Sequence, residues 1–493
     1  MNSFYTPLLL LLLLISSRVW LLVAAASNLH PSFAFTSLPF TTPLHPHNMM
    51  STTTAHFATK SSSIQWGIIG LGDVCTIKSG PAFYKSHNSK LIAVMRRSPG
   101  MARRWVTENR EVIQRYNTID DDNSEMIRGY DNVNEMIAEN INELDAIYIA
   151  TPPGVHLENV RQIISALDDA TTTTGVDHAD DSRKKQQSSR LKAIYVEKPC
   201  GRCAWETRIM IDELHHRNIQ FFPAYVSRAH ERTQVLHKLL SNKSSIGDQV
   251  RKVQYVQRGS SFARGLDGDG GEGIPWRLAA EYSGGGLVMD MGCHVLDRID
   301  YLFGPIVDVK SEVLRKGAGG VGGEEEEGSY PLVEDYVSMN GRIGQCDWAV
   351  ISSEGAIVEC LWDFSPPDKN NEKNDEDELI ITGTNGSLRM AGMGAGLPIE
   401  VLDVDGNVIE TIEFEAPMHA AQPLIQSIVN ELRGVNIDDE EERQQQQHCL
   451  GTSPARAENA IRTSEVLDAI LNSYYGGRHD EFWTRSESWP GLK

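Results

Sequence analysis

Nine residues, YVEKPCGRC (195–203), hold two chemistries side by side. Cys200 and Cys203 form a C-x-x-C, which can be a redox pair or half of a zinc site. Glu197, Lys198 and Pro199 stand directly before it, and a lysine there can donate to a hydroxyl or carbonyl oxygen of a small molecule. Downstream, GGGLVMDMGCHVLDRIDYLFG (284–304) puts Asp290 and His294 four residues apart. On a helix the two share a face, and a carboxylate beside an imidazole sets its tautomer and raises its pKa, as a general acid/base needs. Gly284, Gly285 and Gly286 before them suggest a close backbone approach. Upstream, GLGDVC (70–75) ends an apolar run. In a G-x-G-x-x-G loop of this kind Gly70 makes the tight turn and Gly72 admits a pyrophosphate to the backbone, while the following helix N-terminus is electropositive. Cys75 takes the third position and is small enough for helix–strand packing. Gly70, Leu71, Gly72, Asp73 and Val74 are therefore expected to bind a dinucleotide.

The cofactor type is read from the next strand, which ends AVMRR. An NAD-specific fold wants Asp or Glu there for the ribose 2′-hydroxyl, whereas Arg96 and Arg97 suit the 2′-phosphate of NADP. NADP is the expected cofactor, with NAD as the other possibility. No metal is expected: a zinc ribbon needs a second C-x-x-C or a His pair, and neither follows. The seven cysteines are odd in number and irregularly spaced, which argues against a disulfide-built secreted fold. The net charge of −21 excludes the basic face that nucleic acid requires. Much of the acidity is local, at 324–327, 372–378 and 438–442, and such runs are usually solvated loops.

These residues need a scaffold. The 493 residues, 40% apolar, suffice for two or three domains. Short apolar runs at 64–70, 91–95, 146–153, 193–199 and 219–226 read as buried strands, with helical patterns at 102–116, 133–140 and 205–217 between them. That alternation predicts an α/β, doubly wound parallel sheet, a Rossmann domain over 63–225, with the low-complexity stretch 168–190 as a surface insertion. Lys198 then sits at the carboxyl edge of a strand, where such sheets bind ligands. Beyond 226 the texture is strand-rich, with turns such as Asn385-Gly386 and Asp405-Gly406-Asn407, so an α+β domain with a large, mostly antiparallel sheet is expected over 226–493. A helix is expected over 288–303, and another over 453–475 capped by Ser453 with Pro454 in its first turn.

Taken jointly, the glycine loop, ATPPGVH (150–156), EKP, PWRL (275–278) and GGG…DMGCH come in the order and spacing of the Gfo/Idh/MocA oxidoreductases, which the chain resembles from about 64 to 475. The resemblance implies that Lys198, Asp290 and His294 form the catalytic group: Lys198 polarising the reacting oxygen, His294 exchanging its proton, Asp290 orienting the ring. It implies that Thr151, Pro152, His156 and Glu197, with Lys198, lie along the cofactor, and that Trp276, Arg277 and Tyr225 face cofactor or substrate. The implied activity is hydride transfer between the nicotinamide and a sugar, sugar derivative or cyclic polyol. Two other readings share the fold: glycoside cleavage with tightly held NAD, and a non-catalytic nucleotide-binding regulator. A homodimer through the second-domain sheet is implied as well. The family does not require Cys200 or Cys203, so a redox switch beside Lys198 is a separate expectation.

The first 72 residues lack Asp and Glu. Residues 1–34 carry a long apolar run and small residues before Phe35, and 35–62 are rich in Ser and Thr, which together resemble a bipartite plastid presequence of signal and transit segments. The mature protein is then expected to lack a membrane span. Secretion, a membrane anchor, and internal initiation at Met49 or Met50 are the alternatives. A fluorescent protein fused behind residues 1–63 is expected to enter the plastid; a diffuse cytosolic signal would remove this reading.

Overall fold

In a computed structural model the described residues run from 63 to 493, apart from 118–126, 174–188, 242–244, 260–273, 318–331, 366–374, 436–449 and the single positions 73, 347, 348, 350 and 352. The presequence, Asp73, Cys449 and most of the expected insertions lie outside the described residues.

Six strands form the first sheet: β1 (Ile64–Ile69), β2 (Ser89–Met95), β3 (Arg128–Tyr130), β4 (Ala146–Ile149), β5 (Ala193–Val196) and β6 (Gln220–Pro223). Their order is β3-β2-β1-β4-β5-β6, and every pairing is parallel. Helices cover both faces, which is why β4 and β5 are buried at every residue and read as continuous apolar runs. The strand order reverses between β1 and β4, and ligands bind at the carboxyl ends beside such a switch point. On one face Trp66, Phe83, Tyr148 and Tyr195 form an aromatic cluster, with ring centroids 4.9–6.5 Å apart. The helix Gln422–Arg433, far along the chain, returns to this same core through Leu424, Ile425, Ile428 and Val429.

The second sheet has eight strands: β7 (Val250–Arg258), β8 (Ile306–Leu314), β9 (Tyr336–Ile343), β10 (Ala356–Asp363), β11 (Glu376–Gly383), β12 (Ser387–Ala391), β13 (Ile399–Leu402) and β14 (Val408–Ile412). The order is β14-β13-β12-β11-β7-β10-β9-β8, antiparallel except where β7 meets β10. The mostly antiparallel sheet expected from the sequence is thus present. Burial alternates along β7 and β10, as expected when one face packs on helices. The helices Cys293–Phe303 and Ala457–Tyr475 supply that layer.

Two local readings differ. The C-terminal helix starts at Ala457, not beside Ser453: Ser453 folds into a tight turn with Ala455, and the Asn459 side chain accepts from the Arg456 N–H instead. The expected helix 288–303 begins as a π-helical turn, Val288–Gly292, before the α-helix proper. Such turns recur at functional sites, and this one carries Asp290.

The glycine run before that turn meets backbone, not ligand. Gly284 has φ +84°, and a Cβ there would lie 2.5 Å from the Arg202 carbonyl oxygen, while one on Gly286 would lie 2.1 Å from that of Glu334. Gly284→Ala is expected to destabilise the protein by more than about 1 kcal/mol in urea unfolding, since φ is wrong and the space is filled by main chain. An unchanged midpoint would contradict this packing.

Candidate active site

Lys198 leaves the end of β5, and Asp290 projects from the π-helical turn of the second layer. Their side chains meet: Lys198 Nζ donates to Asp290 Oδ1 at 2.6 Å and to the Asp290 carbonyl at 3.0 Å. Arg277 Nε lies 3.4 Å from the other carboxylate oxygen, and its guanidinium stacks 4.3 Å over the Trp276 ring. Both partners of the main pair are largely buried, with side-chain exposures of 17% and 19%. Burial alone would raise the Asp290 carboxyl, but the Lys198 ammonium outweighs it and holds the group at about 2. Burial likewise opposes the ammonium, yet Asp290 lifts Lys198 above the ordinary lysine range.

His294 lies one turn on, partly accessible although protein surrounds the ring. Burial, then the nearby ammonium of Lys198, push its pKa well below the usual imidazole value against the pull of Asp290. The ring is neutral near pH 7 and so can accept a proton. The orienting bond expected from Asp290 to this ring is not formed among the described residues; the carboxylate faces Lys198 and Arg277. A charge pair in a poorly hydrated space outcompetes a bond to a neutral ring.

The glycine loop lies beside this group. Gly70 has φ +99°, and a Cβ there would press on the backbone of Ala150 and Thr151 at 3.0 Å. At Gly72 a Cβ would meet nothing within 4 Å, so there is space beside this glycine for a ligand's close approach. Cys75 is fully buried beneath the loop, consistent with its packing role. Arg96 is exposed at the end of β2, and its Nη1 donates to the Leu71 carbonyl at 3.1 Å; Arg97 is exposed next to it. The loop and the arginines beside it therefore fit a dinucleotide of the NAD(P) type. Thr151 and Pro152 are partly exposed on the adjacent β4 turn.

Two expected contacts are corrected. His156 is fully buried, its nitrogens 2.6 Å from the Thr151 carbonyl and 2.8 Å from that of Cys200, so the neutral ring donates to one of these carbonyls and packs between the cofactor loop and the lysine turn. Burial takes its pKa down to about 4. Tyr225 is fully buried with its hydroxyl unpaired, in the core behind Cys200 and Cys293, and does not face the cleft. Sequence reasoning missed Tyr148, whose hydroxyl donates to Glu197 Oε1 at 2.5 Å and so links the aromatic core to the site. Its signal was the tyrosine pair Tyr148 and Tyr195, in register on β4 and β5. Burial raises the Glu197 carboxyl despite this bond and the ammonium beside it.

With this geometry in hand, likeness to known proteins can be weighed. Residues 252–389 match the family profile of the GFO/IDH/MocA C-terminal domain. The match runs from β7 into β12 of the second sheet, and over that stretch the chain is similar to the Gfo/Idh/MocA family. An oxidoreductase of Formosa agariphila is 26% identical over 414 residues, 84% of this chain and 99% of the relative. Among solved structures, the aldose-aldose oxidoreductase of Caulobacter crescentus is 19% identical with a TM-score of 0.57, over 84% of this chain and 98% of that one. The WlbA dehydrogenase of Bordetella pertussis, solved with NADH and UDP-GlcNAcA, is 17% identical with a TM-score of 0.52, over 83% and 96%. These structural likenesses establish the fold, a parallel nucleotide-binding-type sheet followed by a large mixed sheet. Among the described residues no group of His, Cys, Asp or Glu could hold a metal ion, and no helix is long and apolar enough to cross a membrane.

The opening C-x-x-C belongs to the packing. Cys200 and Cys203 are free and buried, at 0% and 1% exposure. Burial pushes the Cys203 thiol up to about 11 and raises Cys200 well above the usual thiol range. Thiols held protonated and out of solvent are poor nucleophiles. In native protein treated with a thiol-specific disulfide reagent, peptide mass spectrometry is expected to find Cys200 and Cys203 unmodified until denaturant is added; rapid labelling of either would revive the redox reading.

Proposed function

We propose that the chain is an NADP-preferring oxidoreductase that moves a hydride between nicotinamide and a CH–OH carbon of a sugar, sugar derivative or cyclic polyol. The observation that carries this reading is the charged Lys198–Asp290 pair beside a neutral His294, at the carboxyl edge of a parallel sheet and next to an open glycine loop. Gly70, Leu71, Gly72 and Val74 would cradle the pyrophosphate, Arg96 and Arg97 the 2′-phosphate, and Thr151, Pro152 and Glu197 would flank the nicotinamide ribose. When bound, the nicotinamide supplies the hydride exchange.

The residues of this chain handle the oxygen and its proton. The Lys198 ammonium donates to the reacting oxygen and stabilises negative charge there. Asp290 keeps that ammonium charged and aimed. His294, neutral near pH 7, takes the proton from a hydroxyl on oxidation and returns it on reduction. Support for a carbohydrate-like substrate comes from the rim, where Trp276 is partly exposed and Tyr282 is 44% exposed beside these charged donors. An aromatic face next to convergent polar groups suits a molecule with one C–H face and several hydroxyls. The aldose-aldose oxidoreductase of this fold, solved with glycerol, and the WlbA dehydrogenase, solved with UDP-GlcNAcA, point the same way.

Tryptophan fluorescence titrated with NADPH and NADH, followed by a panel of sugars and cyclic polyols, tests the proposal. NADPH is expected to bind more tightly, and Lys198→Met to lower kcat by about 10²- to 10⁴-fold. Unchanged turnover in that variant would remove the catalytic assignment, and tighter NADH binding would remove the role given to the arginines.

A further inference from the structure

Arg478 follows the last long helix and lies far in sequence from every motif considered above. Its side chain is fully buried, at 0% exposure. Nη1 donates to the Gly284 carbonyl at 2.6 Å and Nη2 to the Arg202 carbonyl at 2.7 Å. Nε is fixed by Asp468 Oδ1 at 3.0 Å, and the other oxygen of Asp468 accepts from the Ala204 N–H at 2.8 Å. The rings of Tyr475 and Phe482, edge to face with each other, pack against the guanidinium with centroids 5.0 and 4.4 Å away.

The two bridged carbonyls have a particular meaning. Arg202 belongs to the turn that starts at Lys198, and Gly284 to the turn that leads to Asp290. The two strands of main chain touch here, since the space a Cβ on Gly284 would take ends 2.5 Å from the Arg202 carbonyl oxygen. One planar guanidinium thus ties together the backbones that carry the two halves of the ion pair. A second contact from the same C-terminal stretch reinforces it. The Arg202 guanidinium lies 3.4 Å over the Trp483 ring and donates to the Glu281 carbonyl at 2.8 Å.

We propose that Arg478 is a positioning residue for the active site: it fixes the distance between Lys198 and Asp290 from outside the cleft, by holding the 198–203 and 284–290 turns in register. It touches neither side chain. This rests on the assignment of the pair to catalysis, but its central consequence does not, because the spacing of an ion pair is visible in the titration of Lys198 without any substrate. Planarity matters, since three directed N–H bonds in one plane meet two carbonyls and a carboxylate, a geometry an ammonium cannot reproduce.

The test compares Arg478→Gln and Arg478→Lys with Arg232→Gln. Arg232 is a buried arginine that donates to the carbonyls of Gly392, Gly394 and Pro398, on a different loop. Lysine-labelled protein is followed by carbon NMR, with the Lys198 signal assigned from Lys198→Arg. The groups facing Lys198 are Asp290, Cys293, Glu197 and His294, with Arg277 on the far side of the carboxylate. Asp290 is the nearest anion, so loosening the pair lowers the lysine pKa. In Arg478→Gln the Lys198 titration is expected to fall by about one pH unit or more, a tenfold change in the proton equilibrium. Arg478→Lys should recover only part of the shift, and Arg232→Gln should leave it unchanged even if it melts earlier. Given a substrate, kcat of Arg478→Gln should fall by about ten- to a hundredfold while NADPH affinity stays within about twofold. Should that variant not fold, Asp468→Asn, which weakens the anchor and keeps the arginine, is read the same way. An unshifted Lys198 titration in a folded Arg478→Gln protein would overturn the proposal, whatever the outcome of the sugar and polyol screen.

Discussion

The Lys198–Asp290 pair is the contact on which the rest of this protein turns. Each partner comes from a different sheet system, and each would be costly to bury alone. Together they hold an ammonium charged at the mouth of a nucleotide fold and a carboxylate ionised at about 2. The neutrality of His294 follows first from burial and then from the same charge, because a fixed ammonium close by disfavours a second cation.

Much of the architecture can be understood as holding that pair at hydrogen-bond distance. β5 delivers Lys198, and the helix after it starts against Asp468, while the π-helical turn delivers Asp290. His156 packs between the cofactor turn and the lysine turn, with a backbone carbonyl of each at one of its ring nitrogens and its single N–H donated to one of them. Glu334, buried, accepts from the Gly286 N–H and from Tyr475, which ties the glycine run to the C-terminal helix. Polar groups at these junctions are paired because an unpaired one would cost about 1–3 kcal/mol in such a setting. The site is built more by backbone clamps than by contacts among the functional side chains themselves.

A different principle shapes the first sheet. Its aromatic cluster of Trp66, Phe83, Tyr148 and Tyr195 fills one face, and only Tyr148 reaches out of it to Glu197. A rigid core thereby sets the angle of the carboxyl beside the catalytic lysine.

What the sequence by itself determined is local or periodic. Continuous apolar runs announced the strands of a sheet covered on both faces, and a strand-rich texture broken by Asn-Gly and Asp-Gly turns announced the second sheet. The glycine loop, the arginines after β2 and the order of the EKP and D-x-x-x-H motifs located the chemistry, since each depends on residues close in the chain. Tertiary structure alone decided who pairs with whom. Asp290 is four residues from His294 yet bonds Lys198, 92 positions away, because a desolvated carboxylate takes the nearest cation and not the nearest residue in sequence. Tyr225 and His156 looked like ligand contacts and became core and brace, since burial is set by what packs over a residue. Arg478 carried no signal at all: its partners are main-chain carbonyls, which every residue has, and only the fold brings those of Arg202 and Gly284 to one guanidinium.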